Sequence, residues 1–489
     1  MHLTSVQHDR AAGVLLATAA GDALGAGYEF THPRPDTVIG MIGGGIGNFE
    51  PGEWTDDTSM AIGIAQVAAV KGADLRNAAT LDRVAANWVA WYDSHPPDIG
   101  NQTRAVLSHR DTTATAMTAT ASRVPGRTGG NGSLMRTAPV ALAHLDDPTA
   151  AVEAAQMLSA MTHSDPRAGE ACQIWSYAIR HAVVHGNFDG PREYLQTAKP
   201  DVASFWSTRL DEAENGSPGD FPNNGWVVHA LQTAWSAITN TPTDGPLHLQ
   251  EALEACVRAG HDTDTTAAIA GGLLGARWGA SAVPAEWRRI LHGYPGLRAR
   301  DLVILGLRTI QHGRRPFSWP TLRHLDNSGL PTGKVTSHPD DPGLLLGDAD
   351  AVPLADVDAV VSMCRMGSEE IAPEHIEFWL VDQPSPANAH PGFVIDDAAR
   401  TVKALRDEGK RVLLHCVESK SRTVCVAARY SLLTGKDPWH VRRSMPWQLH
   451  VEPELWDAAV GYPIARMSPK KDAAKAQFEQ SHVTAEPDQ

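Results

Sequence analysis

The chain has little cysteine. Cys172, Cys256, Cys364, Cys416 and Cys425 are spread over 489 residues, their number is odd, and no Cys-x-x-Cys pair occurs. This argues against a disulfide framework and a structural zinc site, and points to a reducing, cytoplasmic compartment. Positive charge is also short: 42 Lys and Arg face 57 Asp and Glu, a net charge of −15. Such a chain is poorly suited to wrapping nucleic acid or lying on an anionic membrane through bulk charge. Gly, Asp or Arg interrupts every apolar run well short of a membrane span. The polar start MHLTSVQHDR lacks a basic stretch leading into an apolar core, so no signal peptide is expected. Internal repeats are missing too. What remains is ample: 42% of residues are hydrophobic, enough for a sizeable core. At roughly 150 residues per domain the length suggests two or three domains.

The two ends of the chain differ in texture. The first 280 or so residues are rich in Ala and Gly. Helix-length stretches at 9–26, 58–70, 81–92, 148–161, 167–185, 226–238 and 265–279 show no strand-like alternation. Gly/Pro-rich loops at 40–54 and 124–133 separate them, and a compact all-helical domain over 1–310 is expected. Residues 311–345 hold five prolines and little periodicity, which reads as a linker or an irregular domain entry. Short apolar runs at 343–346, 358–363, 376–381 and 411–414 then alternate with helix-like stretches at 396–408 and 423–434. That pattern predicts a second, α/β domain over 320–465, with a polar tail at 466–489.

Two short sequences carry the first candidate chemistry: Thr55-Asp56-Asp57-Thr58 and Asp262-Thr263-Asp264-Thr265, each ahead of an Ala-rich helix. Asp and Thr are good N-caps, and acids in a first turn complement the helix dipole. Capping needs one side-chain oxygen, however, not four acids. A hard divalent cation accounts for the surplus, because it takes carboxylate, hydroxyl and water oxygens. Asp262 and Asp264, two apart in an extended loop, can face the same side. The shortage of Cys and of His at ligand spacing argues against zinc, and His261 reads as a packing residue or one that supports a ligand from behind.

At these residues the sequence resembles the ADP-ribosylglycohydrolase family. Gly21-Asp22-Ala23-Leu24-Gly25 followed by Glu29, Trp54-Thr55-Asp56-Asp57-Thr58, Asp98-Ile99-Gly100-Asn101, Gly130-Asn131-Gly132-Ser133-Leu134-Met135-Arg136, Thr162-His163-Ser164-Asp165-Pro166 and Gly260-His261-Asp262-Thr263-Asp264-Thr265 match its motifs in order, over about residues 8–300. The resemblance implies an all-α orthogonal helical bundle with two Mg²⁺ ions in a cleft, Mn²⁺ being a substitute. Thr55, Asp56, Asp57, Asp262, Asp264 and Thr265 would be the metal ligands, with Asp57 and Asp264 central to catalysis. Glu29 would be a ligand or gate, and Asp98 would act in catalysis or substrate contact. Gly130, Asn131, Gly132, Ser133 and His163 would bind substrate, the Gly129–Ser133 loop offering backbone N–H groups to a pyrophosphate. On spacing alone these glycines are turn residues, and Asp165-Pro166 is an N-cap and N1 pair. The implied reaction is Mg²⁺-dependent hydrolysis of an ADP-ribosyl linkage through an oxocarbenium-like state. The acceptor, an ADP-ribosylated protein or small molecule, is not named by the sequence, and a modified nucleic-acid end stays open. Competing readings are a binding module without turnover and a hydrolase of another N- or O-glycosidic bond.

The second constellation is His415-Cys416-Val417-Glu418-Ser419-Lys420-Ser421-Arg422-Thr423, between an apolar strand and a helix ending at Gly435. A strand, loop and helix start make an anion cradle, whose field favours a thiolate at Cys416. Arg422 can grip a phosphate bidentately. Over about 340–450 this part is similar to cysteine-dependent protein and dual-specificity phosphatases. The resemblance implies Cys416 as nucleophile, Arg422 as phosphate binder and Thr423 as the hydroxyl assisting the leaving thiolate. Asp382 is a candidate general acid or an ordinary loop acid. Ser419 stands where that family has glycine, and Glu418 puts a carboxylate into the loop, with Lys420 beside it to compensate. A weak phosphatase, one for an unusual substrate and a non-catalytic phosphate binder are all compatible with these departures.

Overall fold

The computed structural model describes residues 2–311, 333–366, 371, 374–445 and 451–463. The domain boundary expected between 310 and 320, most of the expected linker and the polar tail at 466–489 lie outside the described residues.

The N-terminal unit is a helical assembly: α1 Ser5–Gly25, α2 Asp56–Ala68, α3 Ala78–Asp93, α4 Asn101–Leu107, α5 Ala114–Ala121, α6 Ala138–Ala143, α7 Pro148–Ala160, α8 Pro166–His185, α9 Gly190–Thr197, α10 Pro200–Asn215, α11 Val227–Asn240, α12 Leu247–Ala259, α13 Thr263–Trp278, α14 Ala285–Arg288 and α15 Ala299–Ile310. A two-stranded ribbon, β1 His292–Gly293 with β2 Leu297–Arg298, precedes α15. Local sequence sets the helix starts. Thr4 and Gln7 form a capping box at α1, and Asp165 caps α8 with Pro166 in its first turn.

At the centre, α1 and α13 cross with their backbones in contact, because both carry glycine on the shared face. A Cβ at Gly21 would strike the carbonyl of Ala267, one at Gly271 the carbonyl of Ala17, and one at Gly275 the carbonyl of Gly13. Both helices are buried over most of their length. The close crossing brings the C-terminal end of α1, with Asp22, against the first turn of α13, with Asp264: a Cβ at Gly25 would collide with the Asp264 backbone.

The C-terminal unit contains β3 Val335–His338, β4 Asp341–Gly347, β5 Ala359–Ser362, β6 Glu374–Glu377 and β7 Val412–His415, with α16 Pro391–Asp407, α17 Arg422–Leu433, α18 Pro438–Ser444 and α19 Pro453–Gly461. The sheet order is β3-β4-β7-β5-β6; β3 pairs antiparallel and the remaining pairs are parallel. On one face Leu344, Leu346, Val361, Val412 and Leu414 pack with α16, α17 and α19. On the other, Val360 and Leu413 form a smaller cluster with Val352. The fold is thus α/β, as expected, with two differences. The run 376–381 is strand only to Glu377, and part of the expected linker is the edge strand β3. Val335–His338 buries a single residue, so it leaves little hydrophobic signature.

Candidate active sites

Four separate segments bring carboxylates into one cleft of the N-terminal unit. Oxygens of Asp22, Asp57 and Asp264 lie within 4.8 Å of one another, as do oxygens of Glu29, Asp262 and Asp264. Asp264 belongs to both groups. Asp22 is the residue that motif reasoning left without a role. It caps α2 from another helix, accepting from the Thr55 amide at 2.9 Å, the Thr58 amide at 3.0 Å and the Thr58 hydroxyl at 2.7 Å. Thr55 itself makes no side-chain cap and instead donates its hydroxyl to Asp57 at 2.9 Å. An acid amid the small apolar residues LLATAAGDALG was the available signal, since such a residue is rarely buried without a partner.

This gathering is electrostatically costly without a cation. Burial, reinforced by Asp262 and Asp98, pushes Glu29 up to about 8. Burial, with Asp98 and Asp22, pushes Asp56 up to about 8. Asp57 and Asp264 are held well above the usual carboxylate range by burial, with further repulsion from Asp22 on the first and Asp57 on the second. Asp22 rises to about 6 by burial, despite its hydrogen bonds from Thr58 and Thr55. Asp262 is raised by burial and partly relieved by Asn131. Oδ1 of Asp57 is buried with no hydrogen-bond partner among the described residues. Buried charges are normally paired or coordinate metals, and an all-oxygen donor set suits a hard divalent ion. The residues therefore fit such a group. Thr265 sits beside them, its amide donating to Asp264 at 2.9 Å.

The flanking loops converge on the same cleft. Gly100 offers its amide to Asp56 at 3.5 Å, and Asp98 accepts from the Ile99 amide at 2.8 Å. The Gly130–Ser133 loop is zipped to residues 225–227: the Asn131 amide donates to the Gly225 carbonyl and the Val227 amide to the Gly129 carbonyl. The Asn131 side chain donates to Asp262 at 2.7 Å and to the Asn224 carbonyl at 2.9 Å. Asn131 thus braces a carboxylate, and Asn224, which sequence reasoning missed, holds the Asp262 amide at 3.1 Å. Ser133 turns its hydroxyl inward to Ser159 and Cys172, so only its backbone could face a ligand. His163 is buried between this loop and Arg136. A Cβ at Gly130 or Gly132 would come within 3.4 Å of its ring. Burial, with the Arg136 charge, lowers the ring to about 3, leaving it neutral.

In the C-terminal unit, Cys416 follows β7, is 1% exposed, and is separated by five residues from Arg422, the first residue of α17. Arg422 is buried and donates through Nη1 to the carbonyls of Met363 at 3.1 Å and Leu380 at 3.0 Å. Its Nε lies 3.8 Å from Asp382. The Thr423 hydroxyl is buried without a hydrogen-bond partner among the described residues. Glu418 is paired with Lys420 at 2.6 Å. Ser419 has φ +60°, the left-handed region that favours glycine. His415 bonds Ser362 at 2.6 Å, and Ser362 in turn bonds His375 at 2.8 Å, a chain that spacing did not foretell. Burial lowers these rings to about 4 and about 3, so both are neutral.

Among the described residues, no helix is long and apolar enough to cross a membrane. A family model described as ADP-ribosylglycohydrolase matches residues 3–313. The ADP-ribosyl-(dinitrogen reductase) glycohydrolase of Rhodospirillum rubrum is 31% identical over 290 residues, 57% of this chain and 89% of its own length. ADP-ribosylarginine hydrolase Tri1 of Pseudomonas putida (strain GB-1) is 30% identical over 287 residues, 57% of this chain and 73% of its own. A solved ADP-ribosylglycohydrolase-related protein complex covers 63% of this chain and 99% of that one, with a TM-score of 0.50 at 26% identity. Human DUSP28 covers 28% of this chain at a TM-score of 0.23, too slight a likeness to characterise the C-terminal unit, whose architecture stands on its own strand order. The family match spans more than half of the sequence and the whole carboxylate cleft: the chain belongs to the ADP-ribosylglycohydrolase family.

Proposed function

We propose that the N-terminal unit hydrolyses the bond between C1″ of an ADP-ribosyl group and an acceptor on a modified protein, using two divalent cations, Mg²⁺ in first place. The observation that carries this reading is the convergence of two overlapping carboxylate groups on Asp264, beside a buried Asp57 oxygen that has no hydrogen-bond partner among the described residues. Asp22, Asp57 and Asp264 would hold one ion and Glu29, Asp262 and Asp264 the other. When bound, the cations polarise ribose hydroxyls and a water. The chain's own residues do the rest. Thr55 fixes Asp57, and Asn131 fixes Asp262. Asp98, anchored through Oδ1 to the Ile99 amide, serves as the proton carrier as the C1″ bond to the acceptor breaks and the water oxygen adds. Gly130 and Gly132 let the loop pack closely on the His163 ring, and in this reading the loop backbone takes the pyrophosphate. The relatives named for arginine linkages make ADP-ribosylated arginine the first acceptor to try. Release of ADP-ribose from such a protein should need Mg²⁺, stop in EDTA and resume when excess Mg²⁺ is restored. Tight ADP-ribose binding without release in any of these conditions would favour a binding module instead.

A second activity is supported by Arg422, which opens the helix after the Cys416 loop and lies 3.8 Å from Asp382. In this reading the Cys416 sulfur attacks phosphorus while Arg422 holds the phosphate. The phosphorus–oxygen bond breaks and Asp382 gives its proton to the leaving oxygen. Water then cleaves the sulfur–phosphorus bond and returns a proton to Asp382. Cys416→Ser should abolish hydrolysis of p-nitrophenyl phosphate by the full chain; turnover retained in that variant would eliminate this chemistry.

A further inference from the structure

The segment Glu377–His390, between β6 and α16, carries Asp382 and touches the phosphate loop directly. The Leu380 carbonyl orients Arg422 at 3.0 Å, and Asp382 lies 3.8 Å from the same guanidinium. Inside the segment, Asn388 clamps the neck. Its side chain accepts from the Val381 amide and donates to the Val381 carbonyl, both at 2.8 Å. The C-terminal unit adds a bond from the Ser385 amide to Glu454 at 2.7 Å.

Much of the remaining support comes from the other unit. Arg288 of α14 donates to the Glu377 carbonyl at 2.7 Å, and its guanidinium lies 4.6 Å from the centre of the Phe378 ring. Trp379 packs against the hydrophobic core of the N-terminal unit rather than that of its own. The Ser5 hydroxyl donates to the Ala387 carbonyl at 2.6 Å. The His390 ring rests on Trp278, centroids 5.6 Å apart. These contacts come from α1, α13 and α14 and bracket Asp382 on both sides in sequence.

We infer that the N-terminal unit is the positioning scaffold for the C-terminal unit's proton donor, with Arg288 as the chief positioning residue. The inference rests on the phosphatase reading of Cys416, Arg422 and Asp382. A donor held from outside its own unit makes the phosphoryl-transfer step dependent on the intact two-unit chain. Small displacements of a catalytic group cost large factors in rate, so loosening the bracket should act on proton delivery. Arg422 keeps its second anchor on the Met363 carbonyl at 3.1 Å, so the attack by Cys416 should suffer less.

Leaving-group dependence separates these effects. p-Nitrophenolate departs readily without a proton, whereas phenolate needs one. In the full chain, Arg288→Ala should lower kcat/KM for phenyl phosphate about 10-fold or more, and for p-nitrophenyl phosphate less than about 3-fold. Asp382→Asn should show the same skew, more strongly. Arg288→Lys, which keeps a donor, should recover part of the loss. Hydrogen exchange at the Val381 amide should quicken in Arg288→Ala, while ADP-ribose release is unchanged. Equal losses on both phosphates, or unchanged protection at Val381, would overturn the inference. Loss of protection in a chain whose wild type shows no Cys416-dependent turnover would instead bring down the phosphatase reading alone.

Discussion

Asp57 keeps one oxygen on the Thr55 hydroxyl, and the other is buried without a hydrogen-bond partner among the described residues. Its carboxylate is therefore a liability without a cation and an asset with one. Asp57→Asn should reduce ADP-ribose release at least 100-fold, a loss typical of removing an electrostatic contributor to catalysis. The stability prediction runs the other way. In EDTA the variant should melt no lower than wild type, since one buried charge beside Asp22 and Asp264 is gone. Saturating Mg²⁺ should raise the wild-type melting temperature, a linkage worth about 2.7 kcal/mol at a hundredfold over Kd, and move the variant far less. Thermal melts with and without Mg²⁺ check both arms, and an equal Mg²⁺ response in the two proteins would contradict the ligand assignment. A second residue-scale prediction concerns Ser419, whose φ of +60° stands where the resembled phosphatases carry glycine. Ser419→Gly should stabilise the chain by about 1 kcal/mol, by relief of left-handed strain, as measured by denaturant unfolding. The acids of both Asp-Thr sequences were legible because four carboxylates exceed what capping requires. Asp22 showed only as an acid in an apolar stretch and Asn224 not at all, because their partners are distant in sequence: Asp22 caps a helix 33 residues on, and Asn224 holds an amide 38 residues on.

The site's geometry is set by how closely α1 and α13 approach. Gly271→Ala would drive a methyl into the Ala17 carbonyl, where backbone rather than a flexible side chain must yield. Overpacking of this kind costs about 1–3 kcal/mol. It should also push Asp22 away from Asp264 and blunt the Mg²⁺-dependent rise in melting temperature. Gly219→Ala, with open space around its Cα, is the control and should stay within about 0.5 kcal/mol of wild type. Urea unfolding of the two variants decides; equal stability would mean that the crossing accommodates a side chain. The small-residue texture of α1 and α13 was readable as close helix packing, although nothing in either sequence identified the other as its partner. Helix α10 was harder to read because it buries only Trp206, Leu210 and Ala213, a thin stripe on a polar helix.

The two units share more than a linker. Asp397 of α16 accepts from the Ala285 amide, at 3.0 Å to one oxygen and 3.3 Å to the other, and pairs with Arg288 at 3.5 Å. Arg289 pairs with both Glu374 at 2.7 Å and Glu408 at 3.0 Å. The Ala285 and Arg288 groups are shielded from water, so removing their acceptor leaves donors unsatisfied, at about 1–3 kcal/mol. If these contacts couple the units, calorimetry of the wild-type chain should give a single unfolding transition. Mg²⁺, acting in the carboxylate cleft, should then shift that whole transition upward, the Cys416 unit included. Asp397→Ala should split it in two, with only the transition of the helical unit still answering to Mg²⁺. Two transitions already present in wild type would mean that the interface positions the units without coupling their stabilities. A single transition that persists in Asp397→Ala would assign the coupling to the Arg289 pairs and the Trp379 contact, and Arg289→Ala should then divide it.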